Sequence, residues 1–358
     1  MIFDRQYFPP KYRVSLSRDA IEFDKCLLSK DWPAALNILR SNFELDPLYW
    51  ERQKTRMVNL KKKLDSRTPG IRASLKVAFK GFWPLMDPNN CQLLDFIRSA
   101  AKDVSIYAAD SVCDADIVIY SCYGSSLPCD DAQAECDRWL FLGENIRPSY
   151  YHYDFSLSFD SAERNSRNIY FPLWLLEIDW FKRLYRDRHP YSSSLLAEVR
   201  HIDYSSRLNA VAYIGNNAEP WRESSIAAIQ DAGIEVHRYG SQSNPVGDKI
   251  DLLSKYKCTI AFENSFYPGY ITEKPIHSFL AGTIGLYWGC PLRHGLMSSI
   301  NPLFKFQDSA HYIVQDAKAA VRTNGTIVVP PLASKQYLTS EFGRICAGIR
   351  KRLVIYSD

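Results

Sequence analysis

The segment that decides the fold is FENSFYPGYITEK, residues 262–274. An apolar run at residues 258–262 leads into it and is typical of a buried strand. Gly269 permits a turn, and we expect Thr272 to cap the helix that follows. A second apolar run, residues 283–288, comes after that helix. The segment therefore predicts one strand, helix, strand unit.

The loop of this unit is where we expect a ligand. In open α/β sheets, ligands bind beyond the carboxyl ends of the strands. Backbone N–H groups at the start of the helix and the side chain of Lys274 both present positive charge at this loop. The sequence therefore predicts that an anionic phosphate binds here.

The rest of the chain continues the alternation of strands and helices. Apolar runs in the first half predict strands at residues 76–79, 104–107, 117–120 and 139–142, with a helix at 91–101. The second half repeats the rhythm, with strands at 210–214 and 235–239 and helices at 220–232, 249–257 and 338–353. Residues 181–206, rich in Arg, Ser and Tyr, are the expected linker. The pattern predicts an α/β protein with two Rossmann-like halves.

Residues 1–70 have a different character from the rest. Residues 27–40 and 49–64 show helical spacing, which predicts a single tetratricopeptide-like hairpin of two helices. One such unit cannot form a solenoid, because helical repeats need stacked neighbours. We expect this extension to pack on the rest of the chain. A protein partner or self-association through residues 1–70 is the alternative.

Composition bounds the class of protein. A chain of 358 residues exceeds the size that one hydrophobic core usually serves, so several domains are expected. The net charge is only +4 and the basic residues are dispersed, which argues against nucleic acid as a partner. The nine cysteines form no CxxC pair and favour reduced thiols. With no signal peptide and no apolar run approaching the ~18 residues of a membrane span, we expect a cytoplasmic protein. Peripheral attachment to the inner face of a membrane is left open.

Three blocks of sequence resemble the α1,3-fucosyltransferase family. Members carry FENS, a few variable residues, YITEK, a helix, AG and a strand that ends in WG-x-P. This chain has FENSFYPGYITEKPIHSFLAGTIGLYWGCP at residues 262–291. GENIRP at 143–148 with DFSLSFD at 154–160 is similar to a second block, and GNNAEPWR at 215–222 to a third. Together the blocks span roughly residues 75–310, in the order of the family.

The resemblance implies a fold and an activity. The fold would be GT-B, with two Rossmann-like domains that face a cleft and with the helical extension at residues 1–70. The acceptor would bind to a domain at 71–185. The donor would bind to a domain at 186–358 that includes the terminal helix. The activity would be that of the soluble bacterial members, an inverting transfer of L-fucose from GDP-β-L-fucose in α1,3 linkage.

The resemblance leaves the substrates partly open. The acceptor would be a glycan or a lipid-linked glycan, such as a precursor of lipopolysaccharide. One alternative keeps the chemistry and changes the donor to another GDP-deoxyhexose. A second alternative is a non-catalytic glycan-binding or scaffold protein.

Glu144 is the expected general base. It follows the apolar strand at residues 139–142, and Gly143 lets the backbone turn, so its side chain would project from a strand end. Inverting transfer needs one group that takes the proton of the acceptor hydroxyl. A carboxylate with a pKa raised by partial burial serves this role well. The family assigns the role to the corresponding glutamate.

Departing GDP gains negative charge, which fixed cations would stabilise. Arg222, near the start of a predicted helix, and Lys274 are the expected cations. Glu273 would accept hydrogen bonds from ribose hydroxyls. The other donor-binding residues that the resemblance implies are Asn216, Asn264 and Tyr270.

Aromatic residues would form the acceptor site, and no metal is expected. Phe82 and Trp83 follow the first predicted strand and Tyr123 follows the third, so their rings could pack on the apolar faces of sugars. Residues 114–116 spell Asp-Ala-Asp, a triplet that binds metal in other glycosyltransferases, but here it precedes a strand. We therefore expect no required cofactor beyond the donor substrate. Added Mn²⁺ could still stimulate product release.

Overall fold

The structure is a computed structural model that describes residues 18–42, 47–65, 73–101, 104–123, 136–148, 153–160, 167–215, 219–240, 244–290, 296, 301–307 and 310–353. The chain divides into two compact units. The first unit comprises Met1–Pro172, Phe181–His189 and Phe342–Asp358. The second unit comprises Leu173–Trp180 and Pro190–Glu341.

Among the described residues before the first sheet there are three helices: α1 (Arg18–Leu28), α2 (Trp32–Asn42) and α3 (Pro47–Asp65). The prediction that residues 27–40 form one helix was therefore wrong, whereas the helix predicted at residues 49–64 lies within α3. Lys30 adopts a left-handed conformation with φ of 58°, which ends α1. The Asp31 carboxylate accepts a hydrogen bond from the Ala34 N–H at 3.1 Å and so caps the start of α2.

Six parallel strands form the sheet of the first unit, in the order β2-β1-β3-β4-β5-β6. They are β1 (Ala73–Lys80), β2 (Val104–Ala108), β3 (Ile117–Ser121), β4 (Asp137–Phe141), β5 (Phe155–Ser158) and β6 (Asn168–Tyr170), and helix α4 (Gln92–Ala100) joins β1 to β2. Every residue of β3, β4 and β5 is buried, and β3 accordingly has an almost continuous apolar sequence. The strand order reverses between β1 and β3, and such a reversal leaves a crevice at the carboxyl ends.

The predicted linker at residues 181–206 is divided between the two units and is not irregular throughout. Strand β7 (Ile178–Asp179) pairs in parallel with β8 (Tyr191–Ser192), and helix α5 (Ser193–Ala197) and strand β9 (Arg200–Asp203) follow. Local polar composition suggested a linker. The pairing of β7 with β8 is a contact that composition alone does not reveal.

Five parallel strands form the main sheet of the second unit, in the order β11-β10-β12-β13-β14. They are β10 (Leu208–Ile214), β11 (Val236–Tyr239), β12 (Tyr256–Phe262), β13 (Ile284–Trp288) and β14 (Phe304–Phe306). The connecting helices are α6 (Pro220–Asp231), α7 (Lys249–Ser254), α8 (Lys274–Ala281) and α9 (Ala310–Arg322). The order reverses between β10 and β12, as it does between β1 and β3. The predicted pair of Rossmann-like halves is confirmed.

The chain continues through β15 (Thr326–Val329), which pairs antiparallel with β9, into the long helix α10 (Lys335–Leu353). The part of α10 from Phe342 onward groups with the first unit, although the predicted second domain extended to residue 358. The contacts that join it to the first unit include an ion pair, in which Arg352 Nη1 lies 2.7 Å from both carboxylate oxygens of Asp24 in α1. No helix in the described ranges is long and apolar enough to cross a membrane.

A network of buried charges connects the helical extension to the sheet. We call it the ion cluster, and its members are Asp24, Arg52, Arg56, Asp137, Asp154 and Arg352. Arg56 Nε donates to Asp137 Oδ1 at 2.6 Å, and Arg52 donates to both oxygens of Asp154 at 3.2 Å. The extension is thus part of the core of the first unit, as its predicted packing required.

Candidate active site

A cavity of about 590 Å³ lies at the carboxyl ends of β10 and β12, where the strand order of the second sheet reverses. Residues 213–215 and 259–262 line it from the two strands. Four predicted donor-binding residues also line it: Arg222, Asn264, Glu273 and Lys274. This is the position at which doubly wound sheets bind ligands, and the volume is in the usual range for small-molecule sites.

Arg222 is held rigidly at the wall of this cavity. It is the third residue of α6 and is only 3% exposed. Its Nη2 donates to the Glu263 carbonyl at 3.1 Å and to Asn264 Oδ1 at 3.2 Å. Its guanidinium carbon lies 5.0 Å from the ring of Trp221, which stacks on Phe262. The strand end, the loop and the helix start therefore meet at one arginine.

Glu263 is the centre of a second set of contacts, beside Lys274. It is fully buried and accepts hydrogen bonds from the Thr272 N–H at 2.8 Å and the Thr272 hydroxyl at 2.6 Å. Lys274 Nζ donates to Thr272 Oγ1 at 3.1 Å and to Glu263 Oε2 at 3.4 Å. The prediction that Thr272 caps a helix was wrong, because its hydroxyl is bonded to Glu263. Helix α8 begins at Lys274, with Glu273 in the cap position.

The charges of this group are coupled. Burial raises the pKa of Glu263, against the opposing effect of Lys274. Burial also disfavours the ammonium of Lys274, but the carboxylates of Glu273 and Glu263 outweigh this and raise its pKa. For Glu273, burial is outweighed by Lys274, His277 and Lys249, which hold its pKa far below the ordinary value. At neutral pH the cavity therefore presents a charged ammonium beside a charged carboxylate.

Sequence reasoning missed two basic residues that line the cavity, His277 and Lys249. His277 lies three residues after Lys274 on α8, so helical spacing could have indicated it. Its Nε2 is 2.9 Å from Glu177 Oε2, a residue 100 positions away that no local pattern connects to it. Lys249 is the first residue of α7, whose start is capped by Asp248.

Two predicted donor-binding residues are not placed in the cavity. Tyr270 is 1% exposed and is absent from the residues that line it. Asn216 lies outside the described residues. The donor-binding roles of both residues stay predictions.

Glu144 lies in the loop after β4, as predicted, and is partly exposed. The same loop carries Arg147, which hydrogen bonds to Asp160 and lies 4.4 Å from the ring of Phe159. Burial raises the pKa of the Cys122 thiol, and the negative charge of Glu144 raises it further. Glu144 is therefore close to the carboxyl end of β3. Its role as general base stays a prediction.

The predicted acceptor residues lie together at the reversal point of the first sheet. The ring of Trp83 is 5.3 Å from Phe82 and 5.4 Å from Tyr123, measured between centroids. Phe82 also stacks on Phe141, at the end of β4. Tyr123 is 38% exposed, so part of this surface is open. We call Trp83 and Tyr123 the aromatic platform, and its binding of an acceptor stays a prediction.

Within the described ranges, no group of three or more His, Cys, Asp or Glu side chains is arranged to hold a metal ion. Asp114 ends a 3₁₀ turn before β3, and Asp116 Oδ2 accepts a hydrogen bond from the Lys76 N–H at 2.8 Å. The Asp-Ala-Asp triplet precedes its strand, as the sequence indicated. Independence from metal ions stays a prediction.

Comparison with known families identifies the class. Residues 77–177 match the model of the alpha-(1,3)-fucosyltransferase FucT N-terminal domain. Residues 205–302 match the carboxyl-terminal model of glycosyltransferase family 10 (fucosyltransferase). The first match covers the sheet with Glu144, and the second covers the cavity with Arg222 and Lys274. The chain belongs to the fucosyltransferase family.

Individual relatives agree with this assignment. The chain is 26% identical over 257 residues to an alpha-(1,3)-fucosyltransferase FucT of Helicobacter pylori, which covers 64% of this chain and 52% of the relative. It is 27% identical over 206 residues to the human 4-galactosyl-N-acetylglucosaminide 3-alpha-L-fucosyltransferase FUT5, covering 54% of this chain and 51% of the relative. The chain thus spans about half the length of these two relatives.

Solved structures of an α1,3-fucosyltransferase share the fold. One matches with a TM-score of 0.54 and 20% identity, over 82% of this chain and 93% of the other. A structure with GDP matches with a TM-score of 0.53 and 20% identity, over 84% and 97%. The predicted GT-B fold class is confirmed.

Proposed function

We propose that this chain is an inverting transferase that moves L-fucose from GDP-β-L-fucose to a hydroxyl of an acceptor glycan, in α1,3 linkage. Membership of the fucosyltransferase family supports the class of reaction. The observation that carries the donor assignment is the cavity in which Arg222 and Lys274 converge at the switch point of the second sheet.

The two cations would hold the diphosphate of the donor. As the bond between the sugar and GDP breaks, negative charge grows on the departing phosphate, and fixed positive charge lowers the barrier. Arg222 offers a planar guanidinium and Lys274 a point charge, which are complementary ways to bind phosphate. The raised pKa of Lys274 keeps it protonated through this change. Glu273, charged at the edge of the cavity, would accept hydrogen bonds from ribose hydroxyls.

Glu144 would take the proton of the attacking acceptor hydroxyl. It is partly exposed at the carboxyl edge of the first sheet, where a substrate can reach it. Glu263, a carboxylate beside Lys274, is by contrast fully buried and already accepts hydrogen bonds from Thr272 and Lys274. Glu263 is therefore suited to hold the loop, and Glu144 is the better base.

A donor panel combined with one substitution tests the proposal. GDP-fucose, a second GDP-deoxyhexose and a UDP-sugar are assayed for binding and transfer with a mixture of acceptor glycans. We expect transfer from GDP-fucose, and a loss of roughly 10²–10⁴-fold in Glu144→Gln with donor binding unchanged, because the amide cannot accept a proton. Glu51→Gln, at an exposed glutamate of the first unit, is the matched control.

The outcomes separate the alternatives. Transfer from the other deoxyhexose alone would show that the donor is that sugar nucleotide and not GDP-fucose. Absence of any transfer, with glycan binding intact, would indicate a non-catalytic protein. If the Glu144→Gln variant transfers fucose at the wild-type rate, another residue must be the general base. A bacterial surface glycan as acceptor, a cytoplasmic location and stimulation by Mn²⁺ stay predictions.

A further inference from the structure

Asp187 organises a small group of side chains next to the aromatic platform. Its side chain is 2% exposed, and its Oδ2 accepts hydrogen bonds from Trp83 Nε1 at 2.6 Å and from Arg188 Nε at 3.2 Å. The guanidinium carbon of Arg188 lies 4.6 Å from the centroid of the Trp83 ring. One buried carboxylate thus fixes both the indole and the guanidinium above it.

The outer edge of Arg188 is open. Within the part of the chain that the structure describes, its hydrogen bond to Asp187 uses Nε, and neither Nη atom has a partner. The side chain is 21% exposed. Its neighbour Arg183 differs, because Arg183 Nη1 donates to both oxygens of Asp95. A stacked guanidinium with two free Nη atoms is a preorganised fork for a carboxylate or a phosphate.

The Arg188 guanidinium lies at the same edge of the sheet as Glu144, the proposed base. Trp83 follows β1, Tyr123 follows β3 and Glu144 follows β4, and these three strands are neighbours in the sheet. Neighbouring strands are about 4.8 Å apart, so the ends of β1 and β4 are separated by roughly 10 Å. A hydroxyl at Glu144 and a charged substituent at Arg188 would therefore belong to the same sugar ring or to adjacent rings.

We propose that the acceptor carries an anionic group, a carboxylate or a phosphate, which Arg188 binds while a sugar ring packs on the aromatic platform. The inference rests on the proposed transferase function, because it concerns the acceptor of that reaction. It assigns a chemical class to an acceptor that sequence could not define. In this proposal, Asp187 holds the Arg188 guanidinium in the orientation that leaves both Nη atoms open.

Matched glycans test this directly. A neutral oligosaccharide is immobilised beside two derivatives of it, one with a uronic acid in place of a hexose and one with a phosphate monoester. Binding of the protein is measured by surface plasmon resonance in the presence of GDP. We expect at least one charged derivative to bind about 10- to 100-fold more tightly than the neutral parent, the usual gain from hydrogen bonds to a charged group. The derivative that binds tightly distinguishes carboxylate from phosphate.

Substitutions link the preference to the fork. Arg188→Gln should abolish the preference, so that the charged derivatives bind no more tightly than the neutral parent. Arg186→Gln removes the same charge from an exposed position two residues away and should keep the preference. Arg188→Lys keeps the charge without the fork and should show a reduced preference, and it replaces the Gln variant if that variant does not fold.

Several results would overturn the inference. They are equal binding of all three glycans by the wild type, binding of none of them, and a preference that Arg188→Gln retains. GDP binding and GDP-fucose turnover are measured on the same samples. If the wild type neither binds GDP nor turns over GDP-fucose, the transferase proposal is contradicted. The preference for a charged glycan is tested separately, by the binding data for the three glycans.

Discussion

Two groups of paired carboxylates and cations, the ion cluster and the group around Lys274, differ in how far their charges are exposed to solvent. In the ion cluster, each charged side chain forms an ion pair with another member of the cluster, and no side chain is more than 12% exposed. In the cavity at the ends of β10 and β12, which we propose binds the donor and call the donor cavity, the side chains of Lys274 and Glu273 are 22% and 26% exposed. We therefore propose that the same chemistry stabilises the fold in one place and binds a ligand in the other.

The positions of the two groups relative to the strands explain the difference. Asp137 is the first residue of β4 and Asp154 immediately precedes β5, so the ion cluster lies at the amino ends of the first sheet. The donor cavity lies at the carboxyl ends of β10 and β12. Doubly wound sheets bind ligands at the carboxyl ends, which leaves the amino ends available for structural contacts.

The largest effect is expected from breaking the ion cluster. Arg352→Met leaves the carboxylates of Asp24 and Asp137 buried with one cation fewer, and removing one partner of a buried pair usually costs about 3–5 kcal/mol. Urea unfolding of the full chain should show this loss. Lys351→Met, at the exposed neighbouring position, should change little. Similar unfolding midpoints for the two variants would contradict a stabilising role of the cluster.

The corresponding change in the donor cavity should affect binding. Lys274→Ala removes one of the two cations that would contact phosphate, so the Kd for GDP should rise about 10- to 100-fold. Isothermal titration calorimetry measures it. Lys255→Ala removes an exposed lysine of the same unit and is the control. Equal affinities of the two variants would place the diphosphate elsewhere.

The smallest effect concerns acid stability. Burial would raise the pKa of Asp154, but Arg52 and Arg56 hold it well below its ordinary value. Because the pKa is lower in the folded state, this carboxylate stabilises the fold above its unfolded pKa of about 3.9 and loses the effect as pH falls toward the folded value. The unfolding free energy should therefore decline below about pH 4 in the wild type.

Asp154→Asn should show a flatter decline over the same pH range, measured by chemical unfolding at each pH. Asp65→Asn, at an exposed aspartate of α3, should follow the wild-type curve. Parallel curves for Asp154→Asn and the wild type would mean that Asp154 does not contribute to the loss of unfolding free energy at low pH.

Much of the second sheet and its cavity was predictable from sequence. Fully buried parallel strands read as continuous apolar runs, and β12 is such a strand. Asn264, Glu273 and Lys274 lie in one short stretch after it, so local turn and helix rules brought them to one place. Arg222 required the resemblance to a family block, because an arginine near a helix start is uninformative by itself.

Other features depend on contacts that no local rule contains. Thr272 has the right residue type for a helix cap, but the buried carboxylate of Glu263 competes successfully for its hydroxyl. Asp24 and Arg352 are 328 residues apart, and their pairing appears only in the folded chain. The break between α1 and α2 contains neither Gly nor Pro, and its local signs are the Asp31 cap and Pro33 in the first turn of α2.

Amide hydrogen exchange with and without GDP tests most directly the claim that the cavity binds donor and the ion cluster does not. On addition of GDP, exchange should slow in the start of α6 around Arg222 and in residues 262–278. Exchange in α3 and β4, which carry the ion cluster, should stay the same. Slowing confined to the first unit, or no slowing anywhere at saturating GDP, would contradict the account.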